Sequence, residues 1–172
     1  MKIPSHNFLC KLCYNKTGDT MRTLELENFF LLEFDFQNET HHNVLNKIES
    51  TKEGKHFLGN INYAITKINQ RKEKTPYNIA YIVYYLDDPM GYISLTYFDN
   101  AYQSSYGITP EYRGQYLGSL LLMEFSDKLF ELFPEIEKLT LKINDLNIGS
   151  IKLAEKVGYE KQDKETYTQR RM

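Results

Sequence analysis

The sequence predicts an α/β fold, a mixed and mainly antiparallel sheet of six to seven strands flanked by about four helices. Three observations carry that expectation. The apolar period changes from about 3.6 before Tyr77 to 2 after it. Three alternating runs then follow one another with short turns between them, which permits only antiparallel pairing. Beyond Pro110, helical and strand patterns alternate to the end of the chain.

Taken in order, Asn7 to Tyr14 and Arg22 to Phe36 alternate like strands, parted by the turn-forming run Asn15-Lys16-Thr17-Gly18-Asp19. Phe29 to Phe36 is the firmer strand, because its aromatic side chains suit a pleated, half-buried surface. Asn38-Glu39-Thr40 opens a helix with Val44, Leu45 and Ile48 at helical spacing behind it. Phe57, Leu58, Ile61, Ile65 and Ile68 make the stripe of a second helix, which ends in the charged run Gln70 to Lys74 before Pro76. Ile79 to Leu86, Tyr92 to Phe98 and Tyr102 to Thr109 form the meander, turned at Asp87 to Gly91 and at Asp99-Asn100. Leu117, Leu121, Phe125, Leu129 and Leu132 line one face of a long helix that halts at Pro134. Leu139, Leu141 and Ile143 alternate as a strand. Ile151, Ala154 and Val157 form a short helix, and Gly158 stands where a left-handed C-terminal residue is wanted. Residues 159–172 supply one or two edge strands, with Arg170-Arg171 a frayed end. Without repeat, low-complexity stretch or linker, residues 1–172 read as a single domain, with 1–22 a possible N-terminal extension.

Composition narrows the function. Of 172 residues, 41% are hydrophobic, which is enough for a true core. Twenty-one basic residues face 23 acidic ones, a net charge of −2, so a nucleic-acid partner is not expected. No apolar run is long enough to span a bilayer, and Met1 to Asn7 has no apolar signal core; the expectation is a cytoplasmic protein without a membrane partner. Two cysteines against 14 tyrosines exclude a disulfide-stapled scaffold.

The segment that carries chemistry is Ile108-Thr109-Pro110-Glu111-Tyr112-Arg113-Gly114-Gln115-Tyr116-Leu117-Gly118-Ser119. A strand ends, a glycine-bearing turn follows and a long helix opens. Such a turn presents unpaired backbone N–H groups at the positive end of the helix dipole, a site suited to phosphate. Gly114 and Gly118, lacking Cβ, allow close backbone approach. The spacing is neither a P-loop nor a dinucleotide fingerprint, since Gly-Lys-Ser/Thr and Gly-x-Gly-x-x-Gly are both absent. By residues alone, a structural helix start and a phosphate site stay equally open.

Arg113-Gly114-Gln115-Tyr116-Leu117-Gly118 resembles the Gln/Arg-x-x-Gly-x-Gly/Ala signature of the GNAT superfamily of N-acetyltransferases. Further on, the run from Asn147 to Tyr159, with Asn147, Ser150 and Glu155-Lys156-Val157-Gly158-Tyr159, is similar to that superfamily's second signature. Its Asn-x-x-Ser form resembles the branch of ribosomal-protein N-terminal acetyltransferases. The resemblance covers about residues 77–165 and implies the acyl-CoA N-acyltransferase fold, with acetyl-CoA as co-substrate and an amine acceptor as partner. It implies that the amides of Gln115, Tyr116, Leu117, Gly118 and Ser119, with the Arg113 and Gly114 positions, hold the CoA pyrophosphate. The strand end around Tyr106, Gly107, Ile108 and Thr109 would pair with the pantetheine arm. That strand would splay from the Leu139 to Ile143 strand and seat the thioester in the notch. Asn147 would bond the pantetheine, and Ser150 would lie near the sulfur. Two departures stand out. Tyr116 occupies the first glycine position of the signature, so its side chain must point away from the phosphates. Ala154 occupies the place where many members carry a tyrosine that protonates the leaving thiolate, which makes Ser150, or a water it holds, the candidate acid.

The resulting expectation is acetyl transfer to a primary amine, a protein N-terminus or a small molecule, by direct attack in a ternary complex. A catalytically weak or inactive CoA-binding sensor is the alternative. No metal is expected, and the protein would be a monomer or homodimer. The general base is not legible: Glu33, Asp35 and Glu111 are candidates by position only. Cys10-Lys11-Leu12-Cys13 with His6 has no second pair for zinc and reads as ordinary reduced cysteines. His41-His42 reads as a solvated turn or a lining of the acceptor site, and Tyr84, Tyr85, Tyr92 and Tyr97 as possible acceptor-pocket walls.

Overall fold

A computed structural model describes residues 13–14, 20–71 and 77–172. The expectations on Asn7 to Lys11, on Cys10 and His6, on the 15–19 turn and on 72–76 lie outside the described residues. Strands β1 (Cys13–Tyr14) and β2 (Thr20–Met21) pair with each other apart from the main sheet. The main sheet contains β3 (Thr23–Glu25), β4 (Phe30–Glu33), β5 (Ile79–Tyr85), β6 (Asp88–Phe98), β7 (Ala101–Ile108), β8 (Lys138–Lys142), β9 (Glu160–Lys161) and β10 (Thr166–Arg170). Its order is β3-β4-β5-β6-β7-β8-β10-β9, and every pairing is antiparallel except β7 with β8. Eight strands exceed the expected six to seven because β3 and β9 are too short to show a period.

Two helices cover each face. Helices α1 (Glu39–Glu49) and α2 (Ile61–Arg71) close one core over Ala80, Ile82 and Tyr92. Helices α3 (Leu117–Leu132) and α4 (Ile148–Lys156) close the other over Tyr81, Val83, Ile93 and Leu139. Burial on both faces explains why β5 reads Ile-Ala-Tyr-Ile-Val with no polar alternation. Asn38 starts α1 as expected, its side-chain oxygen accepting from the Thr40 and His41 amides. The second helix begins later than its stripe. Phe57 and Leu58 lie in a π-helical turn, Gly54–Leu58, and Gly59 at φ 63° breaks the chain before α2.

The meander forms as predicted, with one correction at its first turn. Leu86 and Asp87, at φ 48° and 67°, make a two-residue hairpin turn, so β6 already begins at Asp88. Pro89 is tolerated there because the register shifts between Val83 and Tyr84 opposite it. Asp99 and Asn100, at φ 51° and 57°, turn the second hairpin. Arg171 is not frayed: its guanidinium donates to the carbonyls of Phe133 and Ile136 and lies over the Phe130 ring.

Candidate active site

The sheet opens between its two parallel strands. β7 pairs with β8 only at Tyr102↔Leu139, Gln103↔Thr140 and Ser104↔Leu141. β7 continues to Ile108 along β6, whereas the Ile143 amide turns to the Glu165 carbonyl at 2.9 Å on the β10 side. From Ser105 to Ile108 the β8-facing edge of β7 therefore has no strand partner. Apart from the Ile108 carbonyl, which accepts from Arg113 Nε, this is a notch whose backbone groups are open to an extended ligand as an added strand.

The phosphate-type turn lies at the end of that edge. Thr109 anchors it: its amide and its hydroxyl both donate to the Met90 carbonyl, at 2.9 and 3.0 Å. A 3₁₀ turn, Pro110–Tyr112, follows, then Gly114 at φ 74° and Tyr116 at φ 61°. Among the described residues, the amides of Gly114 through Ser119 find no acceptor, and the first bond of α3 runs from the Leu120 amide to the Tyr116 carbonyl. Successive free amides at a helix start form an anion cradle. The left-handed backbone at Tyr116 shows why the family signature has glycine there. The ring itself is 76% exposed, with the Lys156 Nζ 4.4 Å from its centroid.

Other expected residues serve the frame. Arg113 Nε donates to the Ile108 carbonyl at 3.0 Å, while its Nη atoms reach Thr51 Oγ1 and the Glu53 carboxylate. It ties the cradle to the loop after α1. Gln115 Nε2 donates to the Glu111 carbonyl at 3.0 Å. Gly118 is buried, and a Cβ there would come within 2.8 Å of Leu153 Cδ1 and 3.2 Å of Ile108 Cδ1. Its missing side chain spaces α3 from α4 and β7 as well as opening the turn. Leu117 is buried in the core beneath the cradle.

Helix α4 forms the far wall. Asn147 caps it, its Oδ1 accepting from the Ser150 amide at 3.2 Å, while its Nδ2 donates to no described group. Ser150 is half-buried. Ala154, one turn further, is fully buried in the core. The Tyr106 hydroxyl, on β7, is buried with no hydrogen-bond partner among the described residues, and burial raises its pKa. Tyr106 was legible only as a strand residue, because nothing local in the sequence marks its hydroxyl as buried.

The remaining candidates are not brought together. Glu33 is paired with Arg22 at 3.1 Å and stands three strands from β7. Asp35 Oδ1 accepts from the Gln37 amide, and Glu111 pairs with Lys47 at 2.7 Å. His41 is not solvated but completely buried: its Nδ1 accepts from the Asp35 amide at 2.9 Å and its Nε2 meets the Tyr84 hydroxyl at 3.2 Å. Burial lowers its pKa to about 4. Tyr92 is buried with its hydroxyl 3.0 Å from Ser105 Oγ, Tyr85 meets Tyr112 edge to face, and Tyr97 packs at a tilt on Tyr102, so each ring is engaged with a different neighbour. Among the described residues no His, Cys, Asp and Glu side chains cluster as a metal would need. Among them no helix is long and apolar enough to cross a membrane.

A parallel strand pair that splays beside a cradle of free amides defines an acyl-CoA N-acyltransferase type of fold. Comparison with known proteins gives the family: residues 29–159 match the model of the acetyltransferase (GNAT) family, and the chain belongs to it. Against curated proteins compared by sequence, the chain has no match. Among solved structures it is similar to an apo RimL ribosomal L7/L12 alpha-N-protein acetyltransferase, with TM-score 0.69 and 12% identity over 93% of this chain and 99% of that one. An acetyltransferase from Agrobacterium tumefaciens str. C58 gives TM-score 0.68 and 13% identity over 88% and 94%. AAC(6′)-Ib in complex with parmomycin and acetyl-CoA gives 0.61 and 17% over 84% and 94%. At these identities the likeness is one of fold.

Proposed function

We propose that this chain, as one domain, transfers the acetyl group of acetyl-CoA to a primary amine by direct attack in a ternary complex. The observation that carries this reading is the unpaired Ser105–Ile108 edge running into the unbonded amides of Gly114 through Ser119. Those amides take the pyrophosphate, with Arg113 acting through the frame it braces and not by direct charge. The pantetheine arm extends along the strand end at Ile108 and Thr109, where Asn147 Nδ2 is free to donate to it. Holding both substrates in line supplies much of the rate, since no covalent enzyme intermediate is needed. An alkyl ammonium sits near pKa ~10 and must lose a proton before attack, to water or a base. A backbone N–H of the notch stabilises the tetrahedral oxyanion, and Ser150 assists departure of the thiolate.

The acceptor is a protein N-terminus or a small-molecule amine, in keeping with neighbours named as an alpha-N-protein acetyltransferase and an aminoglycoside acetyltransferase. The setting is cytoplasmic, and the state monomeric or homodimeric. Ala154 favours a second reading, a CoA-binding sensor without turnover, because the position where many relatives carry an acid is a core methyl. Thiol release from acetyl-CoA with pooled peptides, polyamines and aminoglycosides decides between them. Turnover with any amine supports the enzyme, and tight CoA binding without turnover supports the sensor. Ser150→Ala is expected to lower kcat at least ~10-fold with little change in CoA affinity.

A further inference from the structure

On the sheet face covered by α1 and α2, the unpaired stretch of β7 presents two small residues, Ser105 and Gly107. The cross-strand rows Ala80–Ser94–Ser105 and Ile82–Tyr92–Gly107 fix that placement. A Cβ at Gly107 would stand 2.7 Å from Tyr92 Cε1 and 3.1 Å from Ile48 Cγ2, so the Tyr92 ring lies across the β7 backbone beneath α1. That crossing carries the ring diagonally to Ser105, whose Oγ is 3.0 Å from the Tyr92 hydroxyl. The two ends of this bond differ. Tyr92 is 4% exposed, and among the described residues its hydroxyl has no other partner. Ser105 is exposed on the open edge, although Ser94 opposite it on β6 is buried, so the helix cover ends at Ser105. Burial pushes the Tyr92 pKa up to about 12, and it keeps its proton. A buried O–H without an acceptor is costly, so Tyr92 donates and Ser105 Oγ accepts. The serine oxygen is thereby held in place, with a second lone pair and its own O–H left for the notch.

We infer that Ser105 Oγ, held by Tyr92, accepts an N–H of the amine that attacks the thioester. This rests on the acetyl-CoA reading above. With the pantetheine arm along the strand edge and Asn147 on the side of α3 and α4, the amine meets the thioester from the side of Ser105. Its lone pair bonds the carbonyl carbon, and the nitrogen turns cationic as that bond forms. The N–H···Oγ bond strengthens with that charge, so it favours the transition state over the ground state. The proton shed by nitrogen leaves to water, the C–S pair departs with sulfur, which takes up a proton, and Ser105 ends as it began. A neutral hydroxyl suits this place. A carboxylate there would favour the ammonium form, which has no lone pair for attack. Ser105 touches the substrate; Tyr92 is a positioning residue that acts through it.

Hydroxylamine, a nucleophile small enough to need no acceptor pocket, is the probe beside the pooled amines. Because Ser105 is exposed, Ser105→Ala is expected to melt like wild type and to bind CoA within about twofold. Its turnover of acetyl-CoA to acetohydroxamate, above the uncatalysed rate, is expected to fall about 10-fold, with KM for acetyl-CoA within about twofold. Ser105→Thr restores the hydroxyl and should recover most of that loss. Tyr92→Phe should lower turnover by a smaller factor, and the double variant should fall no further than Ser105→Ala alone. Equal turnover in wild type and Ser105→Ala would overturn the inference and leave the acetyltransferase intact, as would a loss that Ser105→Thr does not recover. Losses that multiply in the double variant would overturn the part given to Tyr92. CoA binding with no catalysis, either of hydroxylamine or of any amine, would overturn the enzyme and with it the role of Ser105. Should Tyr92→Phe not fold, Ser105→Ala and Ser105→Thr decide alone.

Discussion

Tyr116 shows what one dihedral angle can ask of a side chain. At φ 61° it carries the strain that any L-residue other than glycine feels there, about 1–2 kcal/mol, partly offset by the Lys156 cation over its ring, worth ~0.5–1 kcal/mol. Tyr116→Gly is therefore expected to keep the melting temperature within a few degrees of wild type and to retain CoA binding. Tyr116→Val, β-branched and without the cation contact, should lower it by about 2–8 °C. Calorimetry on the two variants checks both. His41 makes a residue-scale statement about pH. Its folded pKa of about 4 lies below the ordinary 6.5, so between those values the unfolded chain holds a proton that the native state refuses. Stability must therefore fall as pH drops from about 6.5 toward 4, by up to ~3 kcal/mol from this group. Urea midpoints across that window should fall more steeply in wild type than in His41→Gln. Equal slopes would mean that the native state accommodates the proton.

At the scale of elements, α4 is short and depends on its cap. Asn147→Ala removes the acceptor for the Ser150 amide and should cost about 1 kcal/mol of stability. Asn147→Asp keeps that acceptor and removes the amide donor. If Nδ2 serves the pantetheine, Asn147→Asp should melt like wild type yet bind CoA several-fold more weakly, about 1 kcal/mol, with ADP affinity unchanged. Equal loss for CoA and ADP would leave Asn147 a cap and nothing more. The contact between α3 and α4 sets other limits. Gly118 sits against Leu153, so Gly118→Glu would disturb the fold as well as the cradle. Ala154 is in the core, so Ala154→Tyr would overpack it by about 1–3 kcal/mol before it could restore an acid.

For the whole molecule, the notch links two halves of the sheet joined by three register pairs, and both faces reach it, the loop after α1 through Arg113 and α4 through Gly118. A ligand filling it binds only the folded state. At 100 times its dissociation constant CoA should add about 2.7 kcal/mol of stability, a rise of some 5–10 °C. ADP at equal concentration, without the arm that fills the notch, should give a smaller shift in the same thermal scan. Equal shifts from both would place the affinity in the amide cradle alone.

The order of elements, the meander and the amide cradle were legible in the sequence because each is a local matter. Alternation sets a strand, glycine and proline set a turn, and the run from Ile108 to Ser119 contains its own turn and helix start with amides left unbonded. The resemblance of that run and of Asn147 to Tyr159 to one family rests on the same local spacing. The splay of β7 from β8, the commitment of Arg113 to Thr51 and Glu53, the burial of His41 and of Gly118, and the anchoring of Arg171 were decided only by tertiary structure. In every case the partner stands on another element, brought near by strand register and helix docking, and no pattern within a short window records which distant group a side chain will meet.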